Sequence, residues 1–320
     1  MPVEIVAEIG CNHQNDLNIA NQLIWAAKDA GATVVKFQAS TVDEEVSQRY
    51  DPEQYALLKR IVPDAIFLRD CAQICERAGV EFLCTPAGPE SLATVLQLGV
   101  KRIKVASDNL NNPPFLRLVA ATGLPIILST GMATLGDIAE ATSRLARADV
   151  PVSRMVTLLH CTTAYPCPPE DANLKAITTM QACGWCPIGF SDHTLSVTLP
   201  AAAAALGAVM IEKHMTLDRS MPGPDHAASL MPLEFDTMVR RVREVEEAMG
   251  DGLKRMMPIE RQEHRYRKGL VAARFIAEGD ILRECDIEAK RPGFGLSVSK
   301  WGSIVGTQAT RDYEAGEFIE

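Results

Sequence analysis

The stretch that decides the fold is Val209 to Leu230, VMIEKHMTLDRSMPGPDHAASL. It begins with apolar residues that predict a strand, and Glu212, Lys213 and His214 follow abruptly. Pro222-Gly223-Pro224 then excludes regular structure and predicts a rigid loop. A charged strand end that opens into such a loop is where parallel α/β enzymes place their chemistry. The alternative is that Lys213 only pairs with Glu212 while His214 caps the strand.

Short apolar runs of this kind alternate with segments of helical spacing along the first 250 residues. The predicted strands are 3–9, 33–38, 81–86, 102–107, 125–130, 155–161, 188–192 and 209–214, and the predicted helices are 17–30, 65–78, 91–98, 114–121, 135–148, 174–182, 197–206 and 233–249. Eight such repeats predict a (β/α)8 barrel that closes near Gly250, with a doubly wound open sheet as the alternative. The polar stretch 40–64 is predicted to be an irregular, functional loop.

The rest of the chain changes in character. Residues 251–267 are charged and contain Pro258, which predicts a linker between a barrel at 1–250 and a second domain. Residues 268–320 carry short β-like runs, such as 270–273, between turns rich in Glu, Asp and Gly. They predict a small β-rich domain, of a size at which a partner surface adds stability.

Charge and composition exclude several classes of partner. A formal net charge of -9 argues against nucleic acid, because affinity for the phosphate backbone needs a basic surface. No apolar run approaches the ~20 residues that span a bilayer, and the first residues lack a secretion signal. The nine cysteines include an isolated Cys183-x-x-Cys186 and predict structural thiols in a reducing cytoplasm. We therefore expect a cytoplasmic protein that acts on small molecules.

Polar side chains at the predicted strand ends form two groups. The first contains Lys36, Lys104, Ser107, Ser129 and Ser191. Active sites of (β/α)8 barrels lie at the carboxyl ends of the strands, so these side chains are expected to converge. A single lysine at a strand end is usually solvated, but two lysines with three hydroxyl groups predict a pocket for a phosphate or carboxylate.

The second group is a pair of histidines, His193 and His214, on neighbouring strand ends. Imidazole nitrogens are common ligands of divalent metals, and Glu8 ends the first strand nearby. Two histidines could instead serve only as hydrogen-bonding residues. The residues by themselves therefore predict a barrel enzyme that handles an anionic substrate together with a metal.

These residues lie in motifs that resemble the sialic acid synthase family. The matching stretches are AEIGCNHQND (7–16), VVKFQ (34–38), TP (85–86), IKVAS (103–107), ILSTGMAT (127–134), LLHCTTAYPCPPEDANL (158–174), IGFSDHT (188–194) and EKHMTLDRSMPGPDHAASL (212–230). The stretch AKRPGFG (289–295) is similar to the family's C-terminal SAF, or antifreeze-like, domain. The resemblance covers nearly the whole chain.

The resemblance implies a transferase of the N-acetylneuraminate synthase type. Such an enzyme condenses phosphoenolpyruvate (PEP) with an N-acetylmannosamine-type aldose and releases a nonulosonic (sialic) acid and phosphate by C–O cleavage. A 6-deoxy diamino hexose, as in legionaminic-type synthases, or a 6-phosphorylated N-acetylmannosamine are alternative acceptors. A different barrel condensing enzyme or a metal-dependent aldolase is a further alternative, but it would not explain the small C-terminal domain. An inert sugar-binding or ice-binding protein is the remaining alternative.

Residue roles follow from the matching motifs. The implied catalytic residues are Glu8, Lys36, Lys104, His193 and His214, and the implied substrate-binding residues are Gln38, Thr85, Ser107, Ser129, Thr163, Tyr165, Ser191, Asp225 and Arg291. The two histidines would hold a divalent metal, Mn²⁺ first, with Mg²⁺ or Co²⁺ as alternatives. Arg291 of the partner subunit would contact the N-acetyl group of the sugar, which implies a domain-swapped homodimer.

One position departs from the family pattern. After the Lys-x-x-Ser of the fourth strand the family has Gly followed by an acid, whereas this chain has Asp108-Asn109. The carboxylate therefore stands one position early, and an amide occupies the expected place. Either Asp108 turns inward, or the acceptor or its proton transfer is handled differently here.

Overall fold

The computed structural model describes residues 2–146 and 150–320. They form two compact units, which divide between Gly250 and Asp251. Within the described residues, no helix combines the length and the apolar character needed to cross a membrane.

The first unit is built on eight parallel strands. They are β1 (Glu4–Gly10), β2 (Val34–Ala39), β3 (Glu81–Pro86), β4 (Ile103–Val105), β5 (Ile126–Ser129), β6 (Val156–His160), β7 (Ile188–Asp192) and β8 (Met210–His214). The hydrogen-bonded order is β3-β2-β1-β8-β7-β6-β5-β4. The end strands β3 and β4 lie against each other, so the sheet is a nearly closed barrel. The predicted (β/α)8 architecture is confirmed.

Helices cover the outside of this barrel. They are α1 (Leu17–Asp29), α4 (Ala65–Ala78), α5 (Pro89–Gln97), α6 (Pro113–Ala121), α7 (Leu135–Leu145), α9 (Lys175–Ala182), α10 (Leu199–Ala205) and α11 (Pro232–Met249), with a short helix α8 (Val152–Met155) before β6. Side chains fix several starts: Asp16 and Asp64 accept hydrogen bonds from the first backbone amides of α1 and α4. The predicted end of the fifth helix, at Ala148, lies outside the described residues.

The connection between β2 and α4 corrects the sequence analysis. We predicted residues 40–64 to be irregular, but they contain α2 (Val42–Glu45) and α3 (Pro52–Ile61). Both helices start from local signals: Thr41 with Glu44 forms a capping box, and Asp51 caps α3 ahead of Pro52. Neither helix contains a fully buried residue, so no strong apolar periodicity marks them in the sequence.

The interior of the barrel changes from apolar to polar along the strands. One apolar layer consists of Val6, Val34, Leu83, Ile127, Leu159 and Met210. The residues two positions further along the same strands are Glu8, Lys36, Thr85, Ser129, Cys161 and Glu212. Because side chains alternate between the two faces of a strand, this second set also points into the barrel. The apolar layer thus closes the bottom of a polar chamber at the carboxyl ends.

The second unit, Asp251–Glu320, is smaller and has its own core. Its strands β9 (Gly269–Ala272) and β10 (Ile287–Lys290) pair antiparallel, and a short helix α12 (Trp301–Ile304) follows. Isolated bridges join further segments to them. The core side chains are Leu270, Ala272, Ile276, Leu282, Ile287, Ala309, Tyr313 and Ile319. Residues 251–267 contain 3-10 turns at Pro258–Gln262 and His264–Tyr266.

Candidate active site

A pocket of about 290 Å³ opens at the carboxyl ends of the barrel strands. Its lining includes twelve of the fourteen residues to which the sequence assigns a role: Glu8, Lys36, Gln38, Thr85, Lys104, Ser107, Ser129, Thr163, Tyr165, Ser191, His193 and His214. Asp225 and Arg291 are not part of this lining. The two predicted groups, the lysines with hydroxyls and the paired histidines, therefore lie in one cavity.

Glu212 lies at the centre of the pocket floor. Its carboxylate is 3.0 Å from Lys36 Nζ through Oε2 and 3.6 Å from Lys104 Nζ through Oε1. Ser191 Oγ donates to the same Oε1 at 2.9 Å, and Lys104 Nζ donates to Ser129 Oγ at 2.7 Å. One carboxylate thus holds both lysines of the predicted anion pocket side by side, in a place that water hardly reaches.

Glu8 completes this floor cluster from the first strand. It pairs with Lys36 through Oε2, 3.3 Å from Nζ, and its Oε1 accepts from Gln38 Nε2 at 2.8 Å. The register places Glu8 beside Lys36 on β2 and beside His214 on β8. Glu8 is therefore the carboxyl group that lies between the lysine pair and the histidine pair.

Burial and charge give three ionisable groups of the floor different proton affinities. Burial raises the pKa of Glu8, and the nearby Lys36 ammonium offsets this only in part. Burial also acts to raise the pKa of Glu212, but Lys104 and Lys36 outweigh it and hold that pKa below the ordinary value. Burial lowers the pKa of Lys104, against the attraction of Glu212. Glu8 is thus the group suited to take up and return a proton.

The residue next to Glu212 lies on the other side of the barrel wall. Lys213 points outward, is completely buried, and donates to Asp192 Oδ2 at 2.6 Å and to the backbone oxygen of Thr194. Asp192 in turn accepts from the backbone amide of Thr194 at 2.8 Å. The alternative pairing of Lys213 with Glu212 is therefore wrong, because successive residues of a strand face opposite sides.

The two histidines face each other across the pocket. The ring centroids of His193 and His214 are 5.6 Å apart. His193 Nδ1 lies 2.7 Å from the backbone oxygen of Thr162; since a carbonyl oxygen only accepts, Nδ1 carries the proton and Nε2 keeps a lone pair. Burial lowers the pKa of His193 to about 3, so the ring is neutral. His214 Nδ1 is buried without a hydrogen-bond partner.

The two histidines can supply nitrogen ligands to a metal, but they do not fill its coordination sphere. Neutral imidazoles with free lone pairs are good ligands for a divalent transition metal. Across residues 2–146 and 150–320, no set of three or more His, Cys, Asp or Glu side chains is placed to hold a metal ion. A metal bound by His193 and His214 would keep most of its coordination positions for water and substrate, as open catalytic sites do.

Small residues and hydroxyl groups form the opposite wall. Ser107 Oγ accepts from the backbone amide of Gly131 at 2.9 Å and lies 3.4 Å from Cys161 Sγ. A Cβ atom on Gly131 would lie 2.2 Å from Thr163 Oγ1 and 2.9 Å from Ser107 Oγ. Any side chain at position 131 would therefore displace the hydroxyl groups that line this wall.

Asp225 lies behind the histidines. Its Oδ2 is 3.8 Å from His214 Nδ1 and accepts from Cys11 Sγ at 3.3 Å. Gly10 has a φ of +53°, and a Cβ there would come within 2.7 Å of Asp225 Oδ2. Asp225 therefore lies beside His214 and outside the pocket lining, whereas the sequence analysis assigned it to substrate binding.

The departure at Asp108-Asn109 has a clear structural basis. Asn109 is buried, its Nδ2 donates to the backbone oxygen of Ala87 at 2.9 Å, and its Oδ1 accepts from Asn112 Nδ2 at 2.8 Å. Asn112 in turn caps α6 through the amide of Phe115. The amide is therefore used to anchor this turn, and Asp108 is the carboxylate on the pocket wall.

Two carboxyl groups of the pocket lining, those of Glu212 and Glu45, received no role from the sequence, and neither did Gly131, which packs against the lining residues Ser107 and Thr163. Glu212 was noted at its strand end without a function, although alternation along β8 places it on the same face as His214. Glu45, on the pocket wall, comes from α2, which had been predicted as irregular loop. Gly131 could have been found from the Thr130-Gly131 pair that directly follows β5.

Arg291 belongs to the second unit. It is exposed and has no hydrogen bond or ion pair with any residue that the structure describes. Its peptide bond to Pro292 is cis. The arrangement leaves its guanidinium available for another group.

Known proteins resemble this chain over its whole length. The NeuB family model matches residues 23–254, and the SAF domain model matches residues 267–320. N,N'-diacetyllegionaminic acid synthase of Campylobacter jejuni subsp. jejuni serotype O:2 is 38% identical over 98% of this chain and 98% of its own length. Human N-acetylneuraminate-9-phosphate synthase is 34% identical over 88% of this chain and 81% of its own.

A solved structure gives the same result. The N-acetylneuraminic acid (sialic acid) synthetase of Leptospira borgpetersenii serovar Hardjo-bovis, in complex with citrate, superposes with a TM-score of 0.76 at 34% identity, over 83% of this chain and 91% of the other. The similarity to known synthases thus covers both the segment that matches the NeuB family and the segment that matches the SAF domain. The chain belongs to the NeuB family and ends in a SAF domain.

Proposed function

We propose that this protein condenses phosphoenolpyruvate with an N-acetylmannosamine-type aldose to form a nonulosonic acid and phosphate. The observation that carries the proposal is the chamber in which two buried lysines and two buried histidines meet around Glu8 and Glu212. The lysine side suits a phosphate and a carboxylate, and the histidine side suits an aldehyde oxygen. Family membership supports the same reaction.

PEP would occupy the floor beside Lys36 and Lys104. Both ammonium groups are held in place by Glu212 before any ligand arrives, so little side-chain entropy is lost on binding. The hydroxyls of Ser107, Ser129 and Ser191 add donors for the phosphate and carboxylate oxygens.

The bond changes fit this layout. C3 of PEP attacks the aldehyde carbon, and water adds to C2. The bond between C2 and the oxygen that bridges to phosphorus then breaks as the keto group forms. One proton of the water ends on the former aldehyde oxygen and the other on the departing phosphate. Glu8, with its raised pKa and its place between the lysines and the histidines, would carry the proton from the attacking water. The lysines would stabilise the leaving phosphate.

A divalent metal is part of the proposal, with Mn²⁺ first and Mg²⁺ or Co²⁺ as alternatives. His193 and His214 would hold it, and when bound it would act as a Lewis acid toward the aldehyde oxygen. The neutral His193 ring and the unpartnered Nδ1 of His214 support this assignment.

We also propose a domain-swapped homodimer in the cytoplasm. Arg291 of the partner subunit would contact the N-acetyl group of the acceptor; the free guanidinium supports this role. A mixture of Arg291→Ala and His214→Ala chains should recover part of the activity if the site is shared, and should stay inactive if each chain completes its own site. All nine cysteines are free thiols, as expected in a reducing compartment.

The acceptor has two further candidates. The 38% identity to a legionaminic-type synthase favours a 6-deoxy diamino hexose, and the similarity to a 9-phosphate synthase raises the 6-phosphorylated sugar. The test of the function is phosphate release from PEP with a panel of N-acetylated aldoses and Mn²⁺, with the acid product identified by its mass. A protein that only binds sugar would release no phosphate with any of them.

A further inference from the structure

The floor and the rim of the active-site pocket differ in charge. On the floor, Lys36 and Lys104 face the carboxyl groups of Glu8 and Glu212, so that the charges are balanced. Among the described residues that line the pocket, these two lysines are the only Lys or Arg side chains. PEP carries a phosphate and a carboxylate, and both need these cations. No basic side chain of the lining is left for a second phosphate.

The rim carries two carboxylates instead. Glu45 ends α2, and Asp108 lies in the 3-10 turn Ser107–Asn109; both side chains line the pocket and are exposed at its opening. Partial burial and, next, the carboxylate of Asp108 raise the pKa of Glu45, and both side chains line the same pocket. Both carboxylates line the same cavity as the two histidines, so an acceptor held at the histidines shares that cavity with them.

The position of Asp108 is built into the fold. Asn109, which follows it, is fixed by its bonds to Ala87 and Asn112, so the turn cannot rotate to exchange the two side chains. A second feature shows that the pocket is prepared for a polar ligand. Thr85 is 93% buried, and its hydroxyl lines the pocket without a hydrogen-bond partner.

We propose that Glu45 and Asp108 determine acceptor specificity: they select an uncharged sugar whose far end carries hydroxyl or acetamido N–H donors, and they exclude the 6-phosphorylated sugar. The inference rests on the proposed condensation and names the acceptor class for it. Carboxylates accept hydrogen bonds from O–H and N–H groups, whereas a phosphate dianion beside them meets repulsion that the two lysines of the lining, already paired with Glu8 and Glu212, do not offset.

The test compares three acceptors at saturating PEP and Mn²⁺: N-acetylmannosamine, its 6-phosphate, and a 2,4-diacetamido-6-deoxyhexose. Phosphate release should give a kcat/KM at least roughly tenfold higher for one of the uncharged sugars than for the 6-phosphate. The double variant Glu45→Gln/Asp108→Asn should narrow this ratio several-fold, mainly through the KM of the phosphorylated sugar. Glu53→Gln, the same chemical change in the neighbouring helix α3 and away from the pocket, should leave the ratio unchanged.

Salt separates charge repulsion from steric exclusion. Raising the ionic strength from about 0.05 to about 0.5 M should reduce the preference of the wild type for the uncharged sugar, measured as the ratio of kcat/KM values. The same ratio should hardly change for the double variant. A wild type that uses the 6-phosphate as well as the uncharged sugars overturns the inference while the condensation stands. The inference is also overturned if neither the double variant nor salt changes the ratio of kcat/KM between the uncharged sugar and the 6-phosphate. Thermal unfolding must show in that case that the variant is folded. No phosphate release with any of the three sugars would overturn the proposed function, and this inference with it.

Discussion

Each face of strand β8 carries a buried ion pair, and the two pairs have opposite consequences. Glu212, facing inward, holds Lys36 and Lys104 at the floor of an open pocket. Lys213, its neighbour, faces outward into a sealed contact with Asp192 and Thr194, among the helices and strand ends. Burial of a charge therefore does not mark a functional residue by itself. What distinguishes the inner cluster is that a ligand can reach it.

The largest expected effect lies on the open side, at the histidine pair. His193→Ala and His214→Ala should each abolish metal-dependent turnover, because each removes one of the two protein ligands proposed for the metal. Calorimetric titration with Mn²⁺ should show binding to the wild type and its loss in each variant. The control is His160→Gln, which replaces an imidazole bonded to the backbone oxygen of Ala172 outside the pocket lining. Unchanged Mn²⁺ affinity in both alanine variants would remove the metal site.

A change in the buried Lys213–Asp192 pair should alter the free energy of unfolding. Lys213→Met leaves the Asp192 carboxylate buried without its ammonium partner, which typically costs about 3–5 kcal/mol. Denaturant unfolding of the two chains measures this difference. The double variant Asp192→Asn/Lys213→Met should recover most of the loss, since no unpaired charge remains. A single variant within about 1 kcal/mol of the wild type would contradict the view that this pair is sealed from water.

A second sealed group gives a pH dependence. Burial lowers the pKa of His13 to about 4. The unfolded chain therefore takes up this proton first, near pH 6.5, and the stability that the neutral ring provides is lost as pH falls from about 6.5 to about 4. The stability difference between wild type and His13→Gln should shrink by roughly 3 kcal/mol across that window. A difference that stays constant with pH would show that His13 titrates normally.

The smallest effect is expected at the open lysines. Lys36→Ala and Lys104→Ala each remove a charged hydrogen bond to the proposed anion, worth roughly 1.5–3 kcal/mol, or about 10- to 150-fold in the apparent PEP requirement. Initial rates at varied PEP and fixed sugar measure it. Lys28→Ala, an exposed lysine beside Asp29, is the matched control. If only the sugar dependence moves, the assignment of the lysines to PEP is wrong.

Much of this site could be predicted because strand ends of a barrel converge. Alternation along β8 separates Glu212 and His214 from Lys213, so the sequence already contained the distinction between open and sealed charges. We missed it because the apolar layer that identifies the inner face, with Val6 and Met210, requires the register between strands. The predicted lysine, serine and histidine positions depended only on where each strand ends.

Other features could not be read from the sequence, for physical reasons. Helices α2 and α3 are surface helices with local caps and no fully buried residue, so periodicity does not reveal them. Glu45 was missed with them. Asn109 anchors its turn through bonds to the backbone of Ala87 and the side chain of Asn112, and Asp108 makes neither of these bonds. Contacts of this kind are set by the tertiary fold.

The most direct test of the proposed condensation is the fate of the oxygen that bridges C2 and phosphorus in PEP. The reaction should be run with PEP labelled with ¹⁸O at that position, the preferred acceptor of the panel, and Mn²⁺. Attack of water at C2 followed by C–O cleavage predicts that the label leaves in inorganic phosphate and that the keto oxygen of the acid comes from water. Label retained in the organic product, with unlabelled phosphate, would mean that the P–O bond breaks and would contradict the account.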